Sequence, residues 1–542
     1  MHMKRTILAC VGAASAVFVT GCNADKLTAA NNNPNSPVDA PSTALFTSAA
    51  RNGVGRWENG VGGTRYGFLS QHLAEVQYPD DDAYIRLKAS STSGLFNASY
   101  SNELEDLEIV RRRGVAASDP GLWGPATVLQ TWEFGVLTDV FGDIPYSQAF
   151  KADSGILTPA YDTQQSIYAD IFARLTSAST ALGGTSSNSL GSADPIYGGA
   201  PKQWQKFANS LRARHAMRLV NTDPTTANTQ LTAALSNPAA LILTNADNAA
   251  MQWPGDGVYD NPWATNFKGR DDHRISTRLL TYLRQWNDPR TPIYAMPAEQ
   301  DTIELADTTE DGLVTQVTMN YCPGSGTTCY VGLGNALTQA IASPLVPYTS
   351  RPGAIFYPGA TSYGTFGGAG GSFPSYLMTA AEVEFIRAEA AERSLGGLTP
   401  AQAEGFYNAG ITRSMEMWGV LAPDIAAYLA TPGVAYAGTT VEKQKQIAIQ
   451  KWLALYTDPI QAWSGFRRTC QPAIVVPGPY AVESSIPRRL YYSTTEKAVN
   501  AASVAAAVAR QGADNFRTRI YWDKNPAAAP TNEPGCGVRP TP

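Results

Sequence analysis

Two segments of the sequence combine aromatic rings with acidic, amide and basic side chains. A sugar ring has an apolar face of C–H groups on which Trp or Tyr can stack, while Asn, Asp and Arg bond its hydroxyls. We therefore predict ligand contacts from six residues of these segments: Tyr78, Tyr84, Arg86, Trp253, Tyr259 and Trp263. We expect some of the five rings to form one stacking platform. The alternative is that they pack inside the protein.

The same segments are rich in carboxylates, which raises the alternative of a calcium site. The candidate ligands are Asp80, Asp81, Asp82, Asp256 and Asp260. Their spacing does not follow the calcium-binding loop of the helix–loop–helix type. We therefore predict that the protein has no cofactor and no metal, with Ca²⁺ as the weaker alternative.

Motifs of the common catalytic sites are missing from the sequence. It contains no HExxH, GxSxG or GxxxxGK[ST] pattern, and no GxGxxG before a helix. Asp139 and Asp143 could form a carboxylate pair, but we expect them to cap the turn at Gly142. We predict that the protein is not an enzyme. A glycosidase, which needs two carboxylates across a cleft, remains the alternative.

The N-terminus is typical of an exported lipoprotein. Lys4 and Arg5 precede a short apolar run that ends in Val-Thr-Gly-Cys at Cys22. This ending resembles a lipobox, in which the chain is cut before the cysteine and the cysteine is acylated. We predict a signal peptide at residues 1–21, lipidation of Cys22, and an Asn- and Pro-rich tether at residues 22–43. The rest, residues 44–542, is predicted to be one ligand-binding domain.

The cysteines of the exported chain are even in number once Cys22 carries lipid, as disulfides require. We expect disulfides from Cys322, Cys329, Cys470 and Cys536. The first two flank a short loop and would form a clasp, whereas the sequence does not fix how the other two pair. Metal binding by these cysteines is the alternative, although no CxxC pair is present.

Charge and hydropathy exclude other classes of protein. The formal net charge is −5 and no segment forms a basic face for nucleic acid. No second long apolar run follows the signal peptide, so the mature chain is expected to sit on a membrane through its lipid.

Apolar periodicity predicts a mostly α-helical fold. Amphipathic helices are expected over residues 122–140, 164–182, 204–220, 379–393, 401–418 and 441–456. The pair 379–393 and 401–418 is joined by a short Gly-containing loop, as in a tetratricopeptide-like hairpin. Long irregular stretches at 238–267 and 353–376 would form loops, which in a compact domain are commonly functional.

Short motifs along the chain resemble the SusD/RagB superfamily of outer-membrane lipoproteins, and within it the SusD-like proteins of the second type. The matching stretches are NPNSP at 33–37, LTDVFGDIPY at 137–146, WQKFANSLRAR at 204–214, DPRTP at 288–292, MTAAE at 378–382, RAEA at 387–390, QKWLALY at 450–456, AW at 462–463, FRR at 466–468 and PRR at 487–489. They occur in the family's order from the tether almost to the C-terminus.

The resemblance implies a scaffold of tetratricopeptide-like helix pairs that carries a loop-rich lobe. It also implies a surface lipoprotein of the outer membrane, facing the cell exterior, that captures oligosaccharide, or alternatively peptide. Its partner would be a TonB-dependent SusC-like barrel, to which it delivers the ligand. The residues after Cys22 are not an obvious surface-export signal, so the exterior placement rests on the resemblance. A surface hydrolase and a protein-binding tetratricopeptide adaptor are the alternatives.

Overall fold

A computed structural model of the chain describes residues 40–59, 61–85, 87, 89–268, 270–300, 302–308, 314–320, 329–357, 370–524 and 536. The predicted signal peptide, the lipidation site Cys22 and nearly all of the tether lie outside these residues. Arg86 and Cys322 also lie outside them.

Helices make up most of the described chain, which confirms the predicted mostly α-helical class. They are α1 Ser42–Val54, α2 Val61–Leu69, α3 Ala89–Ala98, α4 Glu105–Ala116, α5 Pro120–Phe141, α6 Gln164–Gly184, α7 Pro201–Arg218, α8 Pro224–Leu235, α9 Pro262–Lys268, α10 Thr277–Gln285, α11 Thr291–Tyr294, α12 Gln339–Ala342, α13 Ala380–Glu392, α14 Pro400–Met417, α15 Ala422–Leu429, α16 Thr440–Ala454, α17 Pro459–Thr469, α18 Thr494–Val499 and α19 Ala501–Gln511.

Strands are short and occur as antiparallel pairs. They are β1 Leu73–Glu75, β2 Ile144–Pro145, β3 Tyr161–Asp162, β4 Ala249–Met251, β5 His273–Ile275, β6 Thr302–Thr308, β7 Val314–Asn320 and β8 Ser375–Met378. The pairs are β1 with β5, β2 with β3, β4 with β8, and β6 with β7. In the first pair Leu73 lies opposite Ile275, and Glu75 lies opposite His273.

Local sequence signals explain where the scaffold helices begin. All six helices predicted from periodicity form, with bounds within three residues of the predicted ones. Thr379 caps α13 by accepting a hydrogen bond from the N–H of Glu382 at 3.3 Å. Thr399 and Gln402 form a capping box before α14, and Pro400 occupies its first turn.

Neighbouring helices pack as pairs. The helix pairs are α4 with α5, α6 with α7, and α13 with α14, and α16 packs on both α13 and α17. Gly410 permits close packing of α14 on α13, since a Cβ there would lie 2.9 Å from the ring of Phe385. This arrangement is the tetratricopeptide-like scaffold that the sequence predicts.

Buried ion pairs connect helices from different parts of the chain. Arg214 of α7 donates two hydrogen bonds to Glu382 of α13, at 3.0 and 2.5 Å. Arg468 of α17 binds Glu389 of α13 in the same way, at 2.7 and 2.5 Å. Burial opposes ionisation of Glu389, but Arg468 and Arg393 outweigh it and lower the pKa of Glu389 to about 2. These two-pronged pairs fix α7 and α17 against α13.

Candidate functional site

Three segments that are far apart in the sequence meet beside β1. They comprise residues 76–85, 333–342 and 478–482, and together we call them the three-segment junction. The N–H of Val482 donates to the carbonyl of Ala83 at 3.0 Å, and the N–H of Tyr480 donates to the carbonyl of Ala336 at 3.2 Å. The backbone of the third segment is therefore hydrogen-bonded to both of the others.

Asp82 is the centre of this junction and is fully buried. One carboxylate oxygen accepts a hydrogen bond from the Asn335 amide at 2.9 Å. The other accepts from the N–H groups of Ala336 at 2.8 Å and Glu75 at 3.3 Å. The Asn335 amide also donates to the carbonyl of Leu73 at 2.8 Å, and its oxygen accepts from the Ser276 hydroxyl at 2.6 Å. One carboxylate thus joins the loop after β1 to the second segment.

Burial changes the acidity of the carboxyl groups in the junction. It raises the pKa of Asp82 to about 7, although the three donors favour the charged form. Burial also raises the pKa of Glu75 to about 9, and the neighbouring Asp81, Asp82 and Asp272 add to the effect. At neutral pH these two buried carboxyl groups therefore carry less negative charge than two ordinary carboxylates would.

The outer surface of the junction carries apolar side chains from all three segments. Tyr78 is 52 % exposed and Tyr480 is 50 % exposed. Three further apolar residues are exposed on the same segments: Ile85, Ile341 and Val482. We call this set of five residues the junction rim. Exposed rings on a hydrogen-bonded backbone suit stacking on an apolar ligand face.

Cations and carboxylates lie around the rim. The guanidinium of Arg270 is 5.3 Å from the ring centre of Tyr78 and forms an ion pair with Asp272. Arg65 pairs with Asp81 at 3.3 Å. The rim thus combines stacking rings with hydrogen-bonding groups, which is the mixture that sugar hydroxyls require.

The second aromatic stretch of the sequence, residues 253–263, folds differently from the loop that carries Tyr78. Trp253 is buried, and its indole N–H donates to the Ser375 hydroxyl at 2.8 Å. Trp263 is 1 % exposed and packs edge-on against Phe356 with ring centres 5.1 Å apart. Tyr259 is exposed, and the Arg51 guanidinium lies 3.9 Å from its ring centre.

The predicted platform of five rings needs correction for this reason. Tyr84, Trp253 and Trp263 are buried and belong to the hydrophobic core, so they present no face to a ligand in solution. Tyr84 has a positive φ of 65° and is fully buried, whereas Tyr78 in the same segment is exposed. Tyr78 and Tyr259 are exposed and remain candidates, whereas Arg86 lies outside the described residues.

Tyr480 was missed by the sequence reasoning. It follows Pro477-Gly478-Pro479, a turn-forming stretch between two of the family motifs. A solitary aromatic residue after such a turn is a surface signal that could have been used. Its position beside the loop of Tyr78 depends on contacts with residues about 400 positions away.

The other titratable candidates serve the packing of the protein. Burial lowers the pKa of His72 to about 3 and that of His273 to about 4, and it lowers the pKa of His215 well below the usual value. Asp139 does not cap the turn as expected, because it accepts from the Tyr168 hydroxyl at 2.6 Å and the Trp522 indole at 2.7 Å. Asp139 therefore serves as the acceptor of two buried donors.

Asp143 also differs from the expected turn cap. One oxygen accepts from the N–H of Gln164 at the start of α6, at 3.0 Å, and the other accepts from Arg510 at 3.0 Å. Asp139 and Asp143 are thus both engaged in fixed structural contacts rather than presented to a cleft.

Acidic residues of the alternative calcium site accept hydrogen bonds from backbone groups of the protein. Asp256 accepts from the N–H groups of Val258 at 2.9 Å and Tyr259 at 2.8 Å, and Asp260 accepts from the N–H of Gly257 at 2.8 Å. Over the described ranges, no group of three or more His, Cys, Asp or Glu is arranged to hold a metal ion.

One disulfide is defined by two described cysteines. Cys470, just after α17, is bonded to Cys536 with an S–S distance of 2.05 Å. Cys329 is also disulfide-bonded. Since Cys322 lies outside the described residues, the clasp between Cys322 and Cys329 stays a prediction.

Among the helices of the described part of the chain, none has both the length and the apolarity that crossing a membrane requires. No curated protein is similar enough in sequence to count as a match.

Several solved structures have the same architecture. A SusD homolog from Bacteroides uniformis is 24 % identical, with a TM-score of 0.71 over 90 % of this chain and 100 % of that one. A SusD homolog from Bacteroides fragilis is 23 % identical, with a TM-score of 0.71 over the same shares. A chitin-binding SusD homolog from Flavobacterium johnsoniae is 25 % identical, with a TM-score of 0.70 over 89 % of this chain and 98 % of that one.

A family model covers most of the chain. Residues 34–493 match the second SusD-like family, whose description is "Starch-binding associating with outer membrane". The match includes the helix pairs, the buried ion pairs between them and all three segments of the junction. The chain belongs to the SusD-like family of outer-membrane-associated proteins.

Proposed function

We propose that this protein captures oligosaccharide at the outer-membrane surface and passes it to a TonB-dependent SusC-like barrel. The observation that carries the proposal is the junction rim, where Tyr78 and Tyr480 are exposed on segments that hydrogen bonds hold in place. The chitin-binding relative and the starch-binding description of the family support a glycan as the ligand.

Binding at the rim should be modest in strength. A stacked ring contributes roughly 0.5–1.5 kcal/mol beyond the area that it buries. Loss of one ring should therefore weaken binding by about tenfold at most, since about 1.4 kcal/mol corresponds to one decade in Kd. Modest affinity suits a protein that must release its ligand to a transporter.

The test is calorimetric titration of the purified mature domain with two series of oligosaccharides, one from chitin and one from starch. We expect one series to bind, and we expect Tyr78→Ala and Tyr480→Ala to weaken that binding. Leu421→Ala is the control, because Leu421 is exposed before α15 on the helical scaffold. Tyr259→Ala tests whether the second predicted loop takes part.

The proposal fails if both rim variants keep their thermal melts and bind as tightly as the wild type. A peptide library replaces the sugars in a parallel titration, and binding of peptide alone would reassign the ligand class. Glycan cleavage by the pure wild-type protein would replace capture with hydrolysis.

The membrane attachment that we propose runs through acylated Cys22. We expect Cys22→Ala to leave soluble or unprocessed protein, because the lipid would be the membrane anchor of the mature chain. Fractionation of cells measures this directly, with Cys10→Ala in the signal peptide as the control. A Cys22→Ala protein that stays in the membrane fraction contradicts the anchor.

The barrel partner is tested separately. Mild detergent extraction followed by affinity capture of the tagged lipoprotein should recover a barrel of the TonB-dependent type in equal amounts. Recovery of the lipoprotein alone, with its lipid intact, would count against a stable complex.

A further inference from the structure

Two small cavities lie beside the buried ion pairs, where α7, α13, α16 and α17 meet. Each holds about 20 Å³, and Lys451, Gly465 and Arg468 line both of them. About 10–15 Å³ on this measure is needed for one water, so each cavity has room for a water or a monatomic ion but not for a sugar ring. We call one of them the interhelical cavity. Its other lining residues are Arg214, Met217, Arg218, Glu382 and Gln461.

Gly465 keeps the interhelical cavity open. This residue lies inside α17, where glycine is less favourable than alanine because it loses more conformational freedom on folding. A Cβ at Gly465 would nevertheless meet no atom within 4 Å. Close packing of a neighbour therefore does not account for the glycine, and the space beside it is available to an ion or a water from solvent.

Cations outnumber ionised carboxylates around the cavity. The ion pairs of this cluster contain five cations: Arg214, Arg218, Arg393, Lys451 and Arg468. Their carboxylate partners are four: Glu382, Glu389, Asp139 and Asp458. Burial raises the pKa of Asp458, so this group is only partly ionised at neutral pH, and burial also raises the pKa of the neighbouring Glu58. The cluster therefore carries a net positive charge.

Lys451 contributes a charge that the cluster does not fully neutralise. Its ammonium nitrogen is 3.3 Å from one Glu382 oxygen, whereas Arg214 already binds both oxygens of that carboxylate. Burial lowers the pKa of Lys451, and Arg468 adds to this effect while Glu382 opposes it. The Lys451 side chain is 15 % exposed, so an anion from solvent can reach it.

Donor groups beside the cavity remain without acceptors within the described part of the chain. Arg218 pairs through Nε with Asp139 at 2.9 Å and donates through one terminal nitrogen to the Gln461 oxygen. Its other terminal nitrogen and the Gln461 amide nitrogen have no acceptor among the described residues. Hydrogen bonds from a charged donor to an anion are about twice as strong as those between neutral groups, so an anion beside Lys451 and Arg218 gains more than a water does.

The size and charge of the cavity indicate the class of ligand. A volume of about 20 Å³ favours a monatomic ion over sulfate or phosphate, and the excess of positive charge excludes a metal cation. A water would satisfy the same donors without neutralising that charge. We propose that the interhelical cavity binds one chloride ion. Lys451, Arg218 and Gln461 hold the ion, which joins α16, α7 and α17 of the scaffold. The site does not depend on oligosaccharide capture at the junction rim.

Chlorine-35 NMR of the purified mature protein tests the proposal, because chloride that exchanges with an asymmetric site gives a broader resonance. We expect an excess linewidth that bromide removes by competition and that the bulky anion gluconate leaves unchanged at the same ionic strength. Lys451→Met removes the charge and keeps most of the side-chain volume, so it should reduce the excess linewidth at least fivefold. Lys445→Met is the matched control, since Lys445 is exposed on the same helix and does not line the cavity.

Two further variants separate this site from folding and from the proposed function. Gly465→Ala places a methyl group in open space within a helix, so it should fold and yet reduce the excess linewidth at least threefold, even if Lys451→Met fails to fold. Tyr480→Ala, which alters the junction rim, should leave the linewidth unchanged. No excess linewidth in the wild type, or an unchanged linewidth in folded Gly465→Ala, overturns the proposal whatever the rim variants do.

Discussion

The Asp82 carboxylate accepts a hydrogen bond from the Asn335 amide at 2.9 Å, across 253 positions of sequence. Asn335 is bound in turn to the carbonyl of Leu73 in β1 and to the hydroxyl of Ser276 before α10. Two of the segments that carry the junction rim are therefore joined by a buried polar contact.

Asp82→Ala should destabilise the protein and weaken oligosaccharide binding together. It leaves the N–H groups of Ala336 and Glu75 and the Asn335 amide without their acceptor, and each unpaired buried group costs about 1–3 kcal/mol. The variant also no longer has to bury the Asp82 carboxyl, which offsets part of this cost. We therefore expect the free energy of unfolding, measured by urea denaturation, to fall by about 3 kcal/mol. Asp81→Ala, which removes one 3.3 Å contact with Arg65, should lose less, about 1–2 kcal/mol, because it leaves no set of three donors unpaired. Equal losses would show that Asp82 is not the centre of the junction.

Trp263→Ala should lower stability rather than ligand affinity. Trp263 is packed against Phe356, Phe267 and Tyr456, so its removal leaves a cavity that costs about 3–5 kcal/mol. Tyr259→Ala, at an exposed ring of the same segment, should change the melting temperature little. Thermal melts and titrations of both variants check this. A stable Trp263→Ala protein with weakened sugar binding would return Trp263 to the ligand site.

His72→Phe should reduce the loss of stability on acidification. The pKa of His72 is about 3 in the folded protein and about 6.5 when unfolded, so only the unfolded chain takes up the proton between these values. The stability is fully present above pH 6.5 and is lost as the pH falls toward 3. At pH 5 the wild type should have lost about 2 kcal/mol through this group. Denaturation curves at pH 7 and pH 5 measure it, and an equal loss in His72→Phe would contradict the assignment.

Arg468→Met should destabilise the helical scaffold by about 3 kcal/mol, because Glu389 would remain buried with the partly exposed Arg393 as its remaining ion-pair partner. Replacing both residues, Arg468→Met with Glu389→Met, should recover much of that loss, since no fully buried charge remains unpaired and Arg393 is partly exposed to solvent. Chemical denaturation of the two single variants and the double variant gives the coupling. Additive losses would mean that the pair is not a unit.

The sequence predicts the scaffold better than the binding site, for a physical reason. Helix bounds depend on local signals such as Thr379, Thr399 and Pro400, which act within one turn. Whether a loop ring faces inward or outward depends on segments far away in the chain. Trp263 and Tyr78 have similar local surroundings in the sequence, yet Trp263 is in the core and Tyr78 is exposed.

The place of Tyr480 in the junction rim also could not be predicted from its position along the chain. Tyr480 belongs to the junction rim through hydrogen bonds that connect residues 480–482 to residues 83 and 336. No periodicity or spacing in one sequence encodes such a meeting. The motifs that carry the family resemblance indicate the packing of the helices instead. The buried ion pairs between helices are formed by residues of these motifs: Arg214, Glu382, Glu389 and Arg468.

Those interhelical ion pairs have a consequence for how such a chain can diverge. A charge that is buried against its partner cannot be replaced alone without a large loss of stability, so the two positions must change together or stay as they are. The exposed loops are under no such coupling and can exchange side chains one at a time. Proteins built on this scaffold can therefore change the exposed side chains of their loops while the sequence of the helices that carry those loops is retained.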